Sequence, residues 1–208
     1  MTRRLGGGSL VIATHNPGKL KEISALLAPY GMKCLSAGSL GLPEPAETGT
    51  TFAQNALLKA VSAATASGLP ALADDSGLSV EALGGRPGVY TADWAERQWF
   101  EGDPGRDWYM AMGKVEGMLA AKGPDISRAC AFHCTLAIAW PDGESAVYEG
   151  TVDGTLTWPP RGNLGFGYDP VFVPLGSELT FAEIEPETKH ANSHRAAAFA
   201  RLVADQFG

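Results

Sequence analysis

Two adjacent carboxylates, Asp74 and Asp75, close an apolar run from Leu69 to Ala73 and are followed at once by Ser76 and Gly77. A carboxylate exposed where a strand ends can bind a hard cation or take a proton from water. The same residue types also make ordinary turns. In isolation the segment therefore reads as a solvated turn between two short strands, 71–73 and 78–80. Its chemical weight comes from other segments, which carry cations, glycines and aromatics at places where a phosphate or a flat base can be held.

The first of these is Thr14-His15-Asn16-Pro17-Gly18-Lys19, which follows an apolar strand at 10–13 and precedes Leu20, Ile23, Leu26 and Leu27 at helical spacing. A helix start presents free backbone N–H groups and favours anions; Gly18 lets backbone approach closely and Lys19 adds a cation. It is not a Walker loop, because the Gly-x-x-x-x-Gly-Lys-Ser/Thr spacing is missing. A plain strand-to-helix turn fits it equally well. A second helix, opened by the capping box Thr51-Phe52-Ala53-Gln54 and running to about residue 67, carries Asn55 and Lys59 four apart on one face. By itself that pair is a solvated stripe as readily as a site.

Residues 163–170 alternate glycine with aromatics, and Phe166, Gly167, Tyr168 and Asp169 form a loop that can stack on a base and read its edges with backbone groups. Core aromatics in a hairpin loop would look the same. Finally, Lys189 precedes Ser193, which can cap a C-terminal helix whose first turn holds His194 and Arg195. Cations there oppose the helix dipole, so the placement points to an anionic or carbonyl-bearing ligand.

These pieces sit in a chain of 208 residues with net charge -7. That balance disfavours a nucleic acid polymer as partner, while a local pocket can still take a small anion. Cys34, Cys130 and Cys134 have no disulfide or zinc spacing, and no segment reads as a signal or a membrane span, which suggests the cytoplasm. Early strands alternate with helices. Later, 128–140 alternates apolar and small residues and returns through Pro141-Asp142-Gly143 as a hairpin over 145–156. A further strand is expected at 169–173 and a helix from Trp108 to Ala121. The pattern predicts a single α/β domain over 1–208 with a mixed sheet, residues 1–8 forming a flexible tail. Residues 95–106 carry no clear pattern.

Taken together the segments resemble the inosine/xanthosine triphosphate pyrophosphatases, the Ham1-like family. The resemblance lies in Ala13 to Lys19, Glu47 to Phe52 with Asn55 to Ala60, Ala73 to Leu78, Gly85 to Tyr90, Phe166 to Phe172, and Lys189 with Ser193 to Arg195, in family order over nearly the whole chain. It implies a two-lobed α/β fold with a long central mixed β-sheet flanked by helices and an active-site groove between lobes. It implies a homodimer that cleaves ITP, dITP and XTP into monophosphate and pyrophosphate, with Mg2+ as cofactor. Carried over residue by residue, Thr14 to Lys19 would hold phosphates, with Asn55 and Lys59 beside them. Asp75 would be proton acceptor and metal contact, and Ser76 would touch substrate. Phe166 to Asp169 would line the base pocket, and Lys189, His194 and Arg195 would contact the nucleotide. Several relatives carry an acid where this chain has Ala46, which leaves Glu47 as the second candidate metal ligand. Competing readings are a pyrophosphatase for other modified nucleotides, of the Maf kind, and a non-catalytic nucleotide sensor.

Overall fold

The computed structural model describes residues 3–14, 17–96 and 105–208. Its strands are β1 (Ser9–Ile12), β2 (Lys33–Ser36), β3 (Ala71–Val80), β4 (Ala129–Ala139), β5 (Ser145–Leu156) and β6 (Phe172–Pro174). Its helices are α1 (Pro17–Leu27), α2 (Phe52–Ser67), α3 (Trp108–Ala120), α4 (Pro186–Ala191) and α5 (His194–Gln206). The strands form one sheet in the order β2-β1-β3-β4-β5-β6. β1 runs parallel to both β2 and β3, whereas β5 and β6 are antiparallel, so the sheet is mixed and the fold is α/β. The chain divides into two compact units, Met1–Asp75 with Cys134–Glu149 and Ala198–Gly208, and Ser76–His133 with Gly150–Ala197.

In the first unit, side-chain alternation sorts the core. Leu10, Ile12, Leu72, Cys134, Leu136 and Ile138 pack with Ile23 and Leu27 of α1 and with Ala198, Phe199 and Leu202 of α5. The alternate positions Val11, Ala71, Ala73, Ala137 and Ala139 pack with Ala56, Ala60, Ala63 and Ala64 of α2. Both faces of β4 are thus buried here, the small side chains against an alanine-rich helix. α2 begins as its sequence suggests: Thr51 Oγ1 accepts from the Gln54 N–H at 3.2 Å. The Gln54 side chain reaches back one residue further than in a standard capping box, accepting from the Thr50 N–H at 2.7 Å.

The acidic segment differs from its sequence reading. Residues 71–80 form one continuous strand of 10 residues, with no turn at Asp74-Asp75-Ser76-Gly77. β3 lies between β1 and β4 in the sheet order, so ladders on both sides outweigh the turn preference of these residues.

The second unit packs Met112, Val115 and Leu119 of α3 against Leu78, Val80, Cys130, Phe132, Tyr168, Phe172 and Phe181. Asp107 caps α3 by accepting from the Met110 N–H at 2.9 Å. The strand expected at 169–173 is a short 3-10 turn over Asp169–Val171 leading into β6. Among the described residues, no helix is long and apolar enough to cross a membrane.

Within the N-terminal segment, Arg3 and Leu5 make specific contacts. Leu5 is buried, its N–H donates to Gln206 Oε1 at 2.8 Å, and Gln206 Nε2 donates to the Arg3 carbonyl at 3.1 Å and to the Tyr148 hydroxyl at 2.8 Å. Deleting residues 1–8 exposes this contact. Losing one buried leucine costs about 2–3 kcal/mol, so the truncated protein is expected to melt several degrees lower, as read by calorimetry; an unchanged melting point would mean that the segment contributes nothing.

Candidate active site

In the first unit the two carboxylates of β3 have separate environments. Successive residues of a strand point to opposite faces. Asp74 has the parity of Leu72 and meets α1, where Lys19 Nζ lies 2.8 Å from its Oδ2. Asp75 has the parity of Ala71 and Ala73 and meets α2, where Lys59 Nζ is 3.6 Å from its Oδ1. Lys59 also donates to Glu47 Oε1 at 2.5 Å. Asn55, one helical turn before Lys59, hydrogen-bonds Asp75 with its side chain, and its Oδ1 accepts from the Gly49 N–H at 2.8 Å. The Gly49 bond takes the amide oxygen, which leaves the NH2 group to donate to the carboxylate. A Cβ on Gly49 would stand 2.5 Å from Asn55 Oδ1 and 2.7 Å from Gln54 Cβ, so glycine is required there.

Both aspartates are buried. Burial lifts the Asp75 carboxyl to about 6; the Lys59 and Lys19 charges and the Asn55 bond pull the other way, while Glu47 adds to the rise. Burial also works against the Lys59 ammonium, but the surrounding carboxylates of Asp75, Glu47 and Asp74 more than offset it and hold its pKa above the usual lysine value. Three carboxylates thus share two lysines, and burial, more than the balance of charge, keeps the Asp75 carboxyl high. Among the described residues, no three His, Cys, Asp or Glu side chains converge into a cage of their own. The donor set suits a hard cation that arrives with oxygen ligands of a phosphate, as magnesium does.

Thr14 is buried at the end of β1 and its N–H returns to the Ile12 carbonyl at 2.9 Å. Pro17 and Gly18 open α1, and His15 and Asn16 lie outside the described residues. Ser76 follows Asp75 on β3 and begins the second unit.

The second unit brings together the other candidates. Asp169 is 3% exposed; its Oδ2 accepts from the Phe166 N–H at 2.8 Å and from Lys189 Nζ at 2.5 Å. Burial raises the Asp169 pKa, opposed by Lys189, the Phe166 N–H and Arg195. Gly165, at φ +72, leaves room for that carboxylate, since a Cβ there would lie 2.1 Å from Oδ2. Phe166 is half exposed, with Lys189 Nζ 5.5 Å from its ring centroid. His194 and Arg195 are buried in the first turn of α5, and the His194 ring stacks on Phe132 at 5.0 Å. Tyr168 is buried in the core; its hydroxyl has no hydrogen-bond partner among the described residues, and burial raises its pKa. Such a group suits binding: a flat exposed ring beside a cation, with buried donors close to one carboxylate.

Sequence reasoning missed the Lys19–Asp74 pair, the part played by Gly49, and the indole of Trp108 behind the 165–169 loop. The first was within reach through strand parity, once 71–80 is taken as one strand. The other two come from tertiary contacts that no local pattern announces.

Two outcomes follow. Gly49→Ala should displace Asn55 and loosen Asp75, which circular dichroism and activity would show as a fold retained with turnover reduced at least tenfold. The second concerns stability. Asp75 has a folded-state pKa above its unfolded value of 3.8, so its contribution is fully present below about pH 4 and is lost as pH rises through about 6. Asp75→Asn should therefore stabilise the metal-free protein at pH 8, by up to roughly 3 kcal/mol for a shift of about two units, and the gain should shrink toward pH 5. A gain independent of pH would contradict the electrostatic cause.

Comparisons with known proteins find close relatives of the whole chain. The Ham1 family model matches residues 10–205. A dITP/XTP pyrophosphatase from Caulobacter vibrioides is 57% identical over 201 residues, covering 97% of this chain and 99% of its own. Another from Ruegeria pomeroyi is 52% identical over 208 residues, the full length of both. In three dimensions, the structure of a HAM1 protein from Coxiella burnetii matches with a TM-score of 0.85 at 35% identity, covering 94% of this chain and 96% of that one.

Proposed function

The chain belongs to the Ham1 family, and we propose that, like the dITP/XTP pyrophosphatases it resembles, it hydrolyses the non-canonical purine triphosphates ITP, dITP and XTP to monophosphate and pyrophosphate. The observation that carries this reading is Asp75. It is a buried carboxylate lifted to about 6, bonded to Asn55 and close to Lys59, and so is poised to accept a proton near neutral pH.

In this reading Asp75 orients a water and takes its proton as the oxygen bonds the α-phosphorus. The bond from that phosphorus to the bridging oxygen breaks, and its electron pair leaves with pyrophosphate. Lys19 and Lys59, held by Asp74 and Glu47, face negative charge that grows on the leaving group and stabilise it without reorganising. Asp75 and Glu47 are the residues that would hold magnesium, which when bound screens the phosphate oxygens. Thr14 to Lys19 bind the triphosphate at the start of α1. Phe166 stacks on the base, while Lys189, His194 and Arg195 supply donors toward a 6-keto oxygen. Adenine presents an amino group there and leaves such a donor unpaired, which costs about 1–3 kcal/mol. Action on free nucleotides by a cytoplasmic homodimer belongs to the same reading, and the net charge of -7 is in keeping with a small substrate rather than a nucleic acid polymer.

A substrate panel tests it. With magnesium present, pyrophosphate release from ITP, dITP and XTP should exceed that from ATP, dTTP and UTP at least tenfold in kcat/KM. Preference for dTTP or UTP would favour a pyrophosphatase of the Maf kind, and binding without turnover would favour a sensor. Asp75→Asn should lower kcat by about 10² to 10⁴, the usual range for a lost general base, while the nucleotide Kd changes only a few-fold; near-normal turnover would remove Asp75 from the chemistry.

A further inference from the structure

The half-exposed ring of Phe166 can act as a stacking surface only if the chain on both sides of it is held. On the inner side the holding group is Asp169, which accepts from the Phe166 N–H at 2.8 Å and pairs with Lys189. On the outer side stands Trp108, the first residue of α3, fixed there by the Asp107 cap. Its ring meets Tyr168 edge-on, with centroids 5.8 Å apart and planes at 72°. Its six-membered ring is also the nearest group to Gly167, 3.8 Å from where a Cβ would stand. Gly167 takes φ +69 at this point, so the two residues after Phe166 turn directly against the indole. Arg106, Trp108, Tyr109, Leu164, Phe166 and Pro170 are among the residues that line a cavity of about 490 Å³. Its size and mostly apolar walls are those of a small-molecule pocket.

We infer that Trp108 is a positioning residue for base recognition: by backing Gly167 and Tyr168 it sets the plane in which Phe166 meets the purine. The inference rests on the proposed function in taking Phe166 as the stacking surface. Nothing in the triphosphate end of the reaction passes through Trp108, so its loss should weaken binding of the base and spare the phosphates. Stacking of one base on an aromatic ring corresponds to roughly 5- to 150-fold in affinity, and a ring held at the wrong angle should forfeit much of it.

The test compares wild type, Trp108→Phe, Trp108→Leu and Trp108→Ala by calorimetric Kd for dITP without metal, beside the Kd for inorganic tripolyphosphate, which lacks a base. Turnover with magnesium adds KM and kcat. Trp108→Phe should stay within about threefold of wild type, because a flat ring is retained. Trp108→Leu, which keeps an apolar side chain in place should the alanine variant not fold, and Trp108→Ala should bind dITP at least fivefold more weakly. Their tripolyphosphate Kd and kcat should change less than about threefold. Parallel weakening toward tripolyphosphate, a fall in kcat at unchanged KM, or unchanged dITP binding in Trp108→Leu would each overturn the inference. A wild type that binds dITP but releases no pyrophosphate counts against the proposed function alone, since the metal-free Kd series still decides the role of Trp108.

Discussion

A strand shows only every second side chain to each of its faces, and the arrangement of the first unit depends on that constraint at positions 74 and 75. Because β3 runs unbroken through both aspartates, the pair cannot act as one bidentate acid. Asp74 is committed to the α1 face, where it holds Lys19. Asp75 is committed to the α2 face, where Asn55 and Lys59 already wait one helical turn apart. One carboxylate thereby becomes an anchor for a lysine at the start of a helix, and the other is the proton acceptor of the proposed function. The alanines of α2 belong to the same arrangement: Ala56, Ala60, Ala63 and Ala64 pack against the small side chains on this face of the sheet, and small residues let a helix axis approach a sheet closely.

Much of this was legible from residue order. The capping residues of α2, the hairpin through Pro141-Asp142-Gly143 and the start of α5 at Ser193 are local signals, and local hydrogen bonds realise them. What failed was the turn at Asp74-Asp75-Ser76-Gly77. Turn preference measures what a peptide does when water is the alternative partner, whereas here β1 and β4 flank the strand. The N-terminal segment has a contact that its composition hides. Three glycines and two arginines read as a tail, yet Leu5 alone carries enough apolar surface to dock, and Gln206 supplies the backbone partners it needs. Trp108 was legible as a helix start but not as a neighbour of Gly167, since that contact joins residues 59 positions apart whose meeting depends on the core beneath them.

Each unit buries a carboxylate beside a lysine, and burial raises the pKa of both. Around Asp75, burial outweighs the pull of Lys59 and Lys19, Glu47 adds to the rise, and the carboxyl moves to about 6. A core optimised for stability alone would remove that strain, so its presence is a cost the fold carries at the one place where a proton acceptor is useful. Asp169 has a close cation in Lys189 and a further donor in the Phe166 N–H, with Arg195 nearby. Buried ion pairs add little net stability compared with apolar packing, and their better attested use is to fix one arrangement among several.

That use is visible in the geometry of the 165–169 loop. An exposed phenylalanine on a glycine-flanked loop would ordinarily sample many orientations, because Gly165 and Gly167 both take positive φ and neither restrains its neighbour. Asp169 removes that freedom by bonding the Phe166 N–H from inside the turn, which is possible only because Gly165 has no Cβ to collide with the carboxylate. Lys189 then serves twice, neutralising Asp169 and standing 5.5 Å from the ring that Asp169 has fixed. A cation beside an aromatic face favours a flat, electron-rich partner on that ring and repels a cationic one. The ion pair is therefore better understood as the device that turns a loose aromatic residue into an oriented surface than as a source of stability.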